Sequence, residues 1–275
     1  MTYFINLRGS AYGTVLKDPQ LFESSGHPPN VRITQPNELA SLVKGRDVVL
    51  ATHGFNVNYT YGLQSLANLD ALIGIDPAIY IGVLWPGDWV IPAVNYPFAV
   101  GIAREAGKRL GVFLKATLPA ARTVSLISHS LGARVILEAT EQLGRPAKVL
   151  CITAGAVNAD CLSTEYLAAA DDSTAIVNLA SGKDLVLKLA YPAGDLIADI
   201  LHLDHNPFEQ ALGAYGPVAP MGANVTAYEI TTESYDHGDY LPPDVLPPAG
   251  TTSKWEAVAQ FMQRAIARQS QIWPI

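Results

Sequence analysis

"TVSLISHSLGARV", residues 123–135, joins a run of mostly apolar residues to Ser128-His129-Ser130-Leu131-Gly132, and then to a helix-like pattern. A core strand that ends in an ordinary turn usually carries Gly, Asn or Asp there, for backbone reasons alone. The small-x-Ser-x-Gly pattern between a strand and a helix has a different use. It is the signature of a sharp turn that lifts a serine hydroxyl clear of a sheet and makes it a nucleophile. Ser130 is the candidate. The stretch is useful only if the chain supplies a base, a group to orient that base, and donors for a developing oxyanion.

Outward from this turn, strands and helices alternate. "DVVLATHG" (47–54) reads as a buried strand, followed by Leu63, Leu66, Leu69, Leu72 and Ile73 at helical spacing, with Asn56 or Asn58 as the cap. "AIYIGVLWPG" (78–87) is the next strand, stopped by Pro86-Gly87, and a helix is expected from Ala99 to Leu118. "TVSLIS" (123–128) leads to a helix over about 131–143, which Gly144 and Pro146 end. "AKVLCITAGAV" (147–157), "TAIVNLAS" (174–181) and "ANVTAYEIT" (223–231) are further strands, and "SKWEAVAQFMQRAIARQ" a final helix. Short strands near Tyr3–Leu7 and Val31–Thr34 extend the sheet. The pattern predicts one α/β domain over 1–275, with a mostly parallel sheet covered by helices on both faces.

Composition narrows the function. The 275 residues are 49% hydrophobic and 16% charged, with a formal net charge of −7. That is ample for a core and too acidic for nucleic acid as the main partner. The two cysteines, Cys151 and Cys161, form no disulfide framework. No apolar run reaches the roughly 20 residues that span a bilayer, and "MTYFINLRGSAYG" lacks the basic start and apolar stretch of a secretory signal. The expectation is a cytoplasmic protein without stable membrane insertion.

Sites in open parallel sheets lie at the carboxyl ends of strands. Asp184 follows one such end in "SGKDLVL", and His237 follows the last strand in "TESYDHGDYL". Asp184 also has the place of a helix N-cap for "LVLKLA", which leaves Asp160 as the substitute acid, and His202 and His205 compete with His237. In "ATHGFN", a His-Gly-x turn directs the amide of Phe55 toward a substrate carbonyl, with the amide of Leu131 as second donor at a helix N-terminus. His53 orders that turn and His129 packs beside the serine. "HLDHN" (202–206) has metal-like residue types but no third strong ligand, so no metal or cofactor is expected.

"HGFNVNYTYGLQSLANLDALI", "VLWPGDW", "SHSLGARVILEAT", "ITAGAVNAD" and "SYDHGDYL" together resemble a bacterial α/β-hydrolase group of unknown function, within the wider lipase and esterase superfamily. The resemblance runs from about Asp47 to Tyr240 and implies an α/β-hydrolase fold. It implies Ser130 as nucleophile, Asp184 as acid and His237 as base, in the chain order this architecture uses. Ser128 stands where Gly is more usual, and its small side chain meets the demand of the turn.

Two segments are expected to wall the pocket. One is 84–98, with Trp85, Trp89 and Tyr96 facing substrate; the other is an insert at about 186–222, with Leu196 and Ile200 in an amphipathic cap. The activity expected is hydrolysis of an apolar, short to medium carboxylic ester through an acyl-enzyme. A thioesterase, amidase or polyester hydrolase with the same three residues, and a non-catalytic binding protein on this fold, are the alternatives.

Overall fold

The structure is a computed structural model that describes residues 1–25, 31–33, 35–88, 92–190, 210–231, 233–248, 253–270 and 273; at 31, 33, 92–97, 189 and 190 only the backbone is described. In chain order its strands are β1 (Thr2–Arg8), β2 (Leu16–Ser24), β3 (Val31–Ile33), β4 (Asp47–Thr52), β5 (Ile79–Leu84), β6 (Thr123–His129), β7 (Val149–Thr153), β8 (Ile176–Ala180) and β9 (Val225–Glu229). The helices are α1 (Pro36–Leu42), α2 (Tyr59–Ile73), α3 (Pro92–Thr117), α4 (Gly132–Gln142), α5 (Leu167–Asp171), α6 (Leu212–Tyr215) and α7 (Lys254–Ile266).

All nine strands of the described residues lie in one sheet, in the order β3-β2-β1-β5-β4-β6-β7-β8-β9. Six neighbouring pairs, from β1–β5 to β8–β9, are parallel; β2 alone runs against its neighbours. Strands covered on both faces must be apolar throughout, and every residue of β5, β7 and β8 is buried. Helices α3 and α4 pack on each other on one face, while α2 and α7 pack together on the other. This division follows from right-handed crossovers: α2 carries the chain from β4 to β5 in one direction along the sheet, and α3 carries it from β5 back past β4 to β6 in the other. A crevice opens where the directions part, at the carboxyl ends of β4 and β6.

The expected elements stand with small shifts. Asn58, rather than Asn56, caps α2 by accepting the amide of Tyr61 at 2.9 Å. Helix α3 begins at Pro92, before the expected Ala99, since proline suits a first helical turn. Strand β2 is the main element the sequence pattern hides. Pro19 interrupts its alternation, and the β1–β2 register shifts between the Asn6–Gln20 and Arg8–Leu16 pairs, an irregularity that spares Pro19 a ladder hydrogen bond. Most of the expected cap, residues 191–209, lies outside the described residues; of the rest, 186–190 form a short π-helical turn and α6 packs against β8. No helix of the described residues is long and apolar enough to cross a membrane.

Candidate active site

Strand β6 ends at His129, and Ser130 then takes a φ of 55°, left-handed backbone that a serine adopts only at a cost of about 1–3 kcal/mol. Close neighbours enforce that conformation. The Ser130 amide donates to the Thr153 carbonyl at 3.1 Å, and its own carbonyl accepts from Ala133 and Ala156 at 3.0 and 3.1 Å. Gly132 opens α4 against β4; a Cβ there would stand 2.5 Å from the His53 carbonyl oxygen. The serine is thus presented at the crevice, just before the positive end of α4.

The hydroxyl meets an imidazole carried 107 positions away: Ser130 Oγ lies 2.7 Å from His237 Nε2. His237 Nδ1 in turn lies 2.8 Å from Oδ2 of Asp184. Asp184 is fully buried beyond the end of β8, and its other oxygen, Oδ1, accepts the amide of Leu187 at 3.1 Å. Each oxygen of Asp184 therefore has its own partner: Oδ1 the amide at the 186–190 turn, and Oδ2 the His237 imidazole. Asp160 is elsewhere, its carbonyl accepting Ser163 and Thr164 in the turn after β7. His202 and His205 lie outside the described residues.

His237 opens a short 3-10 turn to Tyr240 that is itself braced. Asp239 Oδ2 accepts the Asp236 amide and the Lys254 ammonium of α7, each at 2.7 Å. His129 adds a contact from the serine side: its Nε2 donates to the carbonyl of His237 at 2.8 Å, and its ring stacks on Tyr240.

The third expected component is the His53-Gly54-Phe55 turn. An added Cβ at Gly54 would stand 2.7 Å from Ser130 Cβ and 3.2 Å from Ser130 Oγ, so the turn lies directly against the serine. His53 Nδ1 donates to the Gly54 carbonyl at 2.8 Å, while His53 Nε2 accepts the Trp85 amide at 3.3 Å. The Trp85 indole donates to the His53 carbonyl at 2.9 Å and stacks on the imidazole. Trp85 was expected to face substrate. It is instead fully buried, because its indole N–H is committed to this turn. Trp89, Leu196 and Ile200 lie outside the described residues, as does the side chain of Tyr96, whose backbone is in α3.

Gly54→Ala should therefore lower turnover about 100-fold, since the turn and Ser130 must separate to admit one methyl. Its stability should fall by about 1–3 kcal/mol, as for other overpacked sites. Parallel kinetics and urea unfolding test this; turnover at the wild-type level would mean the turn has no part in the chemistry.

Burial holds both His53 and His129 near 3, well below the ordinary histidine range. Both stay neutral in the folded protein, which fixes the tautomers that their partners require. The sign for stability follows. Between about 6.5 and 3 the unfolded chain binds protons at these positions that the native state does not, so stability is full above that window and falls as pH drops through it. Each histidine contributes about 1.4 kcal/mol per pH unit near pH 5. Buried Glu138 and half-buried Asp70, raised by desolvation, act in the opposite direction. The difference between wild type and His129→Gln isolates one histidine. Urea midpoints at pH 7.5, 6 and 5 should converge as pH falls, whereas parallel curves would contradict a neutral buried His129.

The sequence of residues 34–189, more than half of the chain, matches the model of a family described as alpha/beta hydrolase of unknown function (DUF900). The chain belongs to this family. The matched span includes Ser130 and Asp184 but stops short of His237. Comparison with curated proteins gives no match. Membership makes the protein an α/β hydrolase, in agreement with the sheet order and the placing of Ser130.

Among the described residues no group of three His, Cys, Asp or Glu side chains converges as metal ligands, and the "HLDHN" stretch lies outside them. The sequence pattern passed over Arg8 and Asp88, which meet behind the His53–Val57 turn from the ends of β1 and β5. A lone arginine closing the apolar "TYFINLR" was the available signal.

Proposed function

We propose that this protein is a serine hydrolase that cleaves carboxylic esters through an acyl-enzyme. The observation that carries the proposal is the continuous hydrogen-bonded line Ser130–His237–Asp184, with heavy-atom separations of 2.7 and 2.8 Å. A hydroxyl is a weak nucleophile until a base takes its proton as the new bond forms. His237 Nε2 takes that proton as Ser130 Oγ attacks the carbonyl carbon. Asp184 accepts from Nδ1–H, which holds the ring in the tautomer that leaves Nε2 free and stabilises the imidazolium. His237 then returns the proton to the leaving alcohol. Water enters, loses a proton to the same nitrogen, and releases the acid and Ser130.

Negative charge gathers on the carbonyl oxygen during both steps. The amides of Phe55 and Leu131 are the donors proposed for it, one from the turn that touches Ser130 and the other at the start of α4. An apolar substrate is favoured by Leu185 and Val186, which follow Asp184 directly and are exposed. Charged or sugar esters would lose hydration there without gaining partners.

The test is a substrate panel of esters of increasing acyl length, with one thioester and one amide, run beside labelling by an activated phosphonate. Turnover of short to medium apolar esters and a single label on Ser130 are expected. Faster turnover of the thioester or amide would keep the triad and change the substrate class. A folded protein that neither labels nor turns over any of them would be a binding protein on this fold, and the proposal would fall.

A further inference from the structure

We infer that Arg8, together with Asp88, is a positioning residue for the His53–Val57 turn and thereby for the amide of Phe55; the inference rests on the ester hydrolysis proposed above. Arg8 is the last residue of β1 and is 1% exposed. Its guanidinium gathers carbonyls from three separate segments. Nη1 donates to Val57 and Trp85 at 3.1 and 2.9 Å, Nη2 to Ala11 at 3.0 Å, and Nε to Ser10 at 3.4 Å. Nη2 also pairs with Oδ1 of Asp88, whose Oδ2 accepts the Gly13 amide at 3.1 Å.

The two Nη1 acceptors are informative. Val57 closes the turn that begins at His53, and Trp85 is the residue whose amide and indole grip His53 from the neighbouring strand end. A further bond from the Asn56 amide to the Gly87 carbonyl, 2.9 Å long, ties the same two segments together. Arg8 thus joins the end of the turn to the strand end that supports it. Only a planar fork with five donors can serve so many carbonyls at once; an ammonium has three donors on a single atom. Asp88 balances the charge, so the pair contributes geometry rather than a field. Fixed geometry is what an oxyanion donor needs, because its value lies in being in place before charge develops.

Arg8→Lys keeps the charge and its partner but cannot span the carbonyls. For the best ester of the panel, kcat should fall about 10–100-fold, with KM within about threefold of wild type. Phosphonylation of Ser130 should slow in parallel, because the phosphonyl oxygen uses the same amides. The pH at half-maximal activity should not move, since His237 and Asp184 are untouched. The double variant Arg8→Met/Asp88→Leu removes both buried charges together, so its unfolding midpoint should fall less than that of Arg8→Met alone, which strands Asp88, while the same loss of kcat remains. A merely structural pair would instead give kcat losses that track the unfolding midpoints, or a folded Arg8→Lys with kcat within about twofold of wild type; either result overturns the inference alone. A wild-type protein without ester turnover and without a Ser130 label overturns the proposed function and this inference with it.

Discussion

Ser130→Ala should lose about 10⁶-fold in turnover, the scale seen when the nucleophile of a serine hydrolase is removed. The loss is this large because the side chain supplies the attacking atom and nothing nearby replaces it. His129 cannot serve, since its Nε2 is committed to the His237 carbonyl, and Ser128 is fully buried. The fold should survive. Alanine keeps the Cβ that packs against Gly54, and the backbone bonds that hold the turn to Thr153 and Ala156 do not involve the hydroxyl. Kinetics on the best ester, phosphonate labelling and circular dichroism together check this. A folded variant that retains more than a few percent of activity would disprove Ser130 as the nucleophile.

Asp184→Asn should fold and lose about 10³–10⁴-fold in turnover. The two oxygens of Asp184 make this substitution unusually clean. An asparagine can still present its carbonyl oxygen to the Leu187 amide, so the cap and the 186–190 turn persist. The atom facing His237 Nδ1 then becomes an amide donor. His237 answers with the other tautomer, in which Nδ1 accepts and Nε2 carries the proton, and it can no longer take a proton from Ser130. Turnover near the wild-type level in Asp184→Asn would sink the assignment. Retained folding in circular dichroism is the necessary control.

Residues 123–135 made the centre of the fold legible, because a strand, a tight turn and a helix each have a local period. Asp184 and His237 were legible for a related reason: both follow strand-like runs, and parallel sheets gather the ends of such runs at one edge. Strand β2 was hidden because its stability comes from β1 and β3, while Pro19 spoils its own alternation. The place of Trp85 was hidden for a different reason. Composition marks an aromatic residue as a pocket wall, but its indole N–H had a buried carbonyl to satisfy at His53. Arg8 and Asp88 are 80 positions apart, and nothing local in either segment foretells their pairing. Long-range polar contacts of this kind have no period to read.

His237 stands late in the chain, 107 positions after Ser130. A ribosome adding about 5–20 residues per second takes about 5–20 s to cover that interval. For most of it, the strand, turn and helix around Ser130 have been synthesised, but the imidazole of His237 has not. A nascent chain therefore displays the elbow without the ability to use it. On the proposed mechanism, hydrolysis begins only when the turn at His237 is released and packs against α7. On the proposed mechanism, synthesis past His237 is a condition of activity, and any product terminated before it is inert toward esters, even though all nine strands of the described residues precede it.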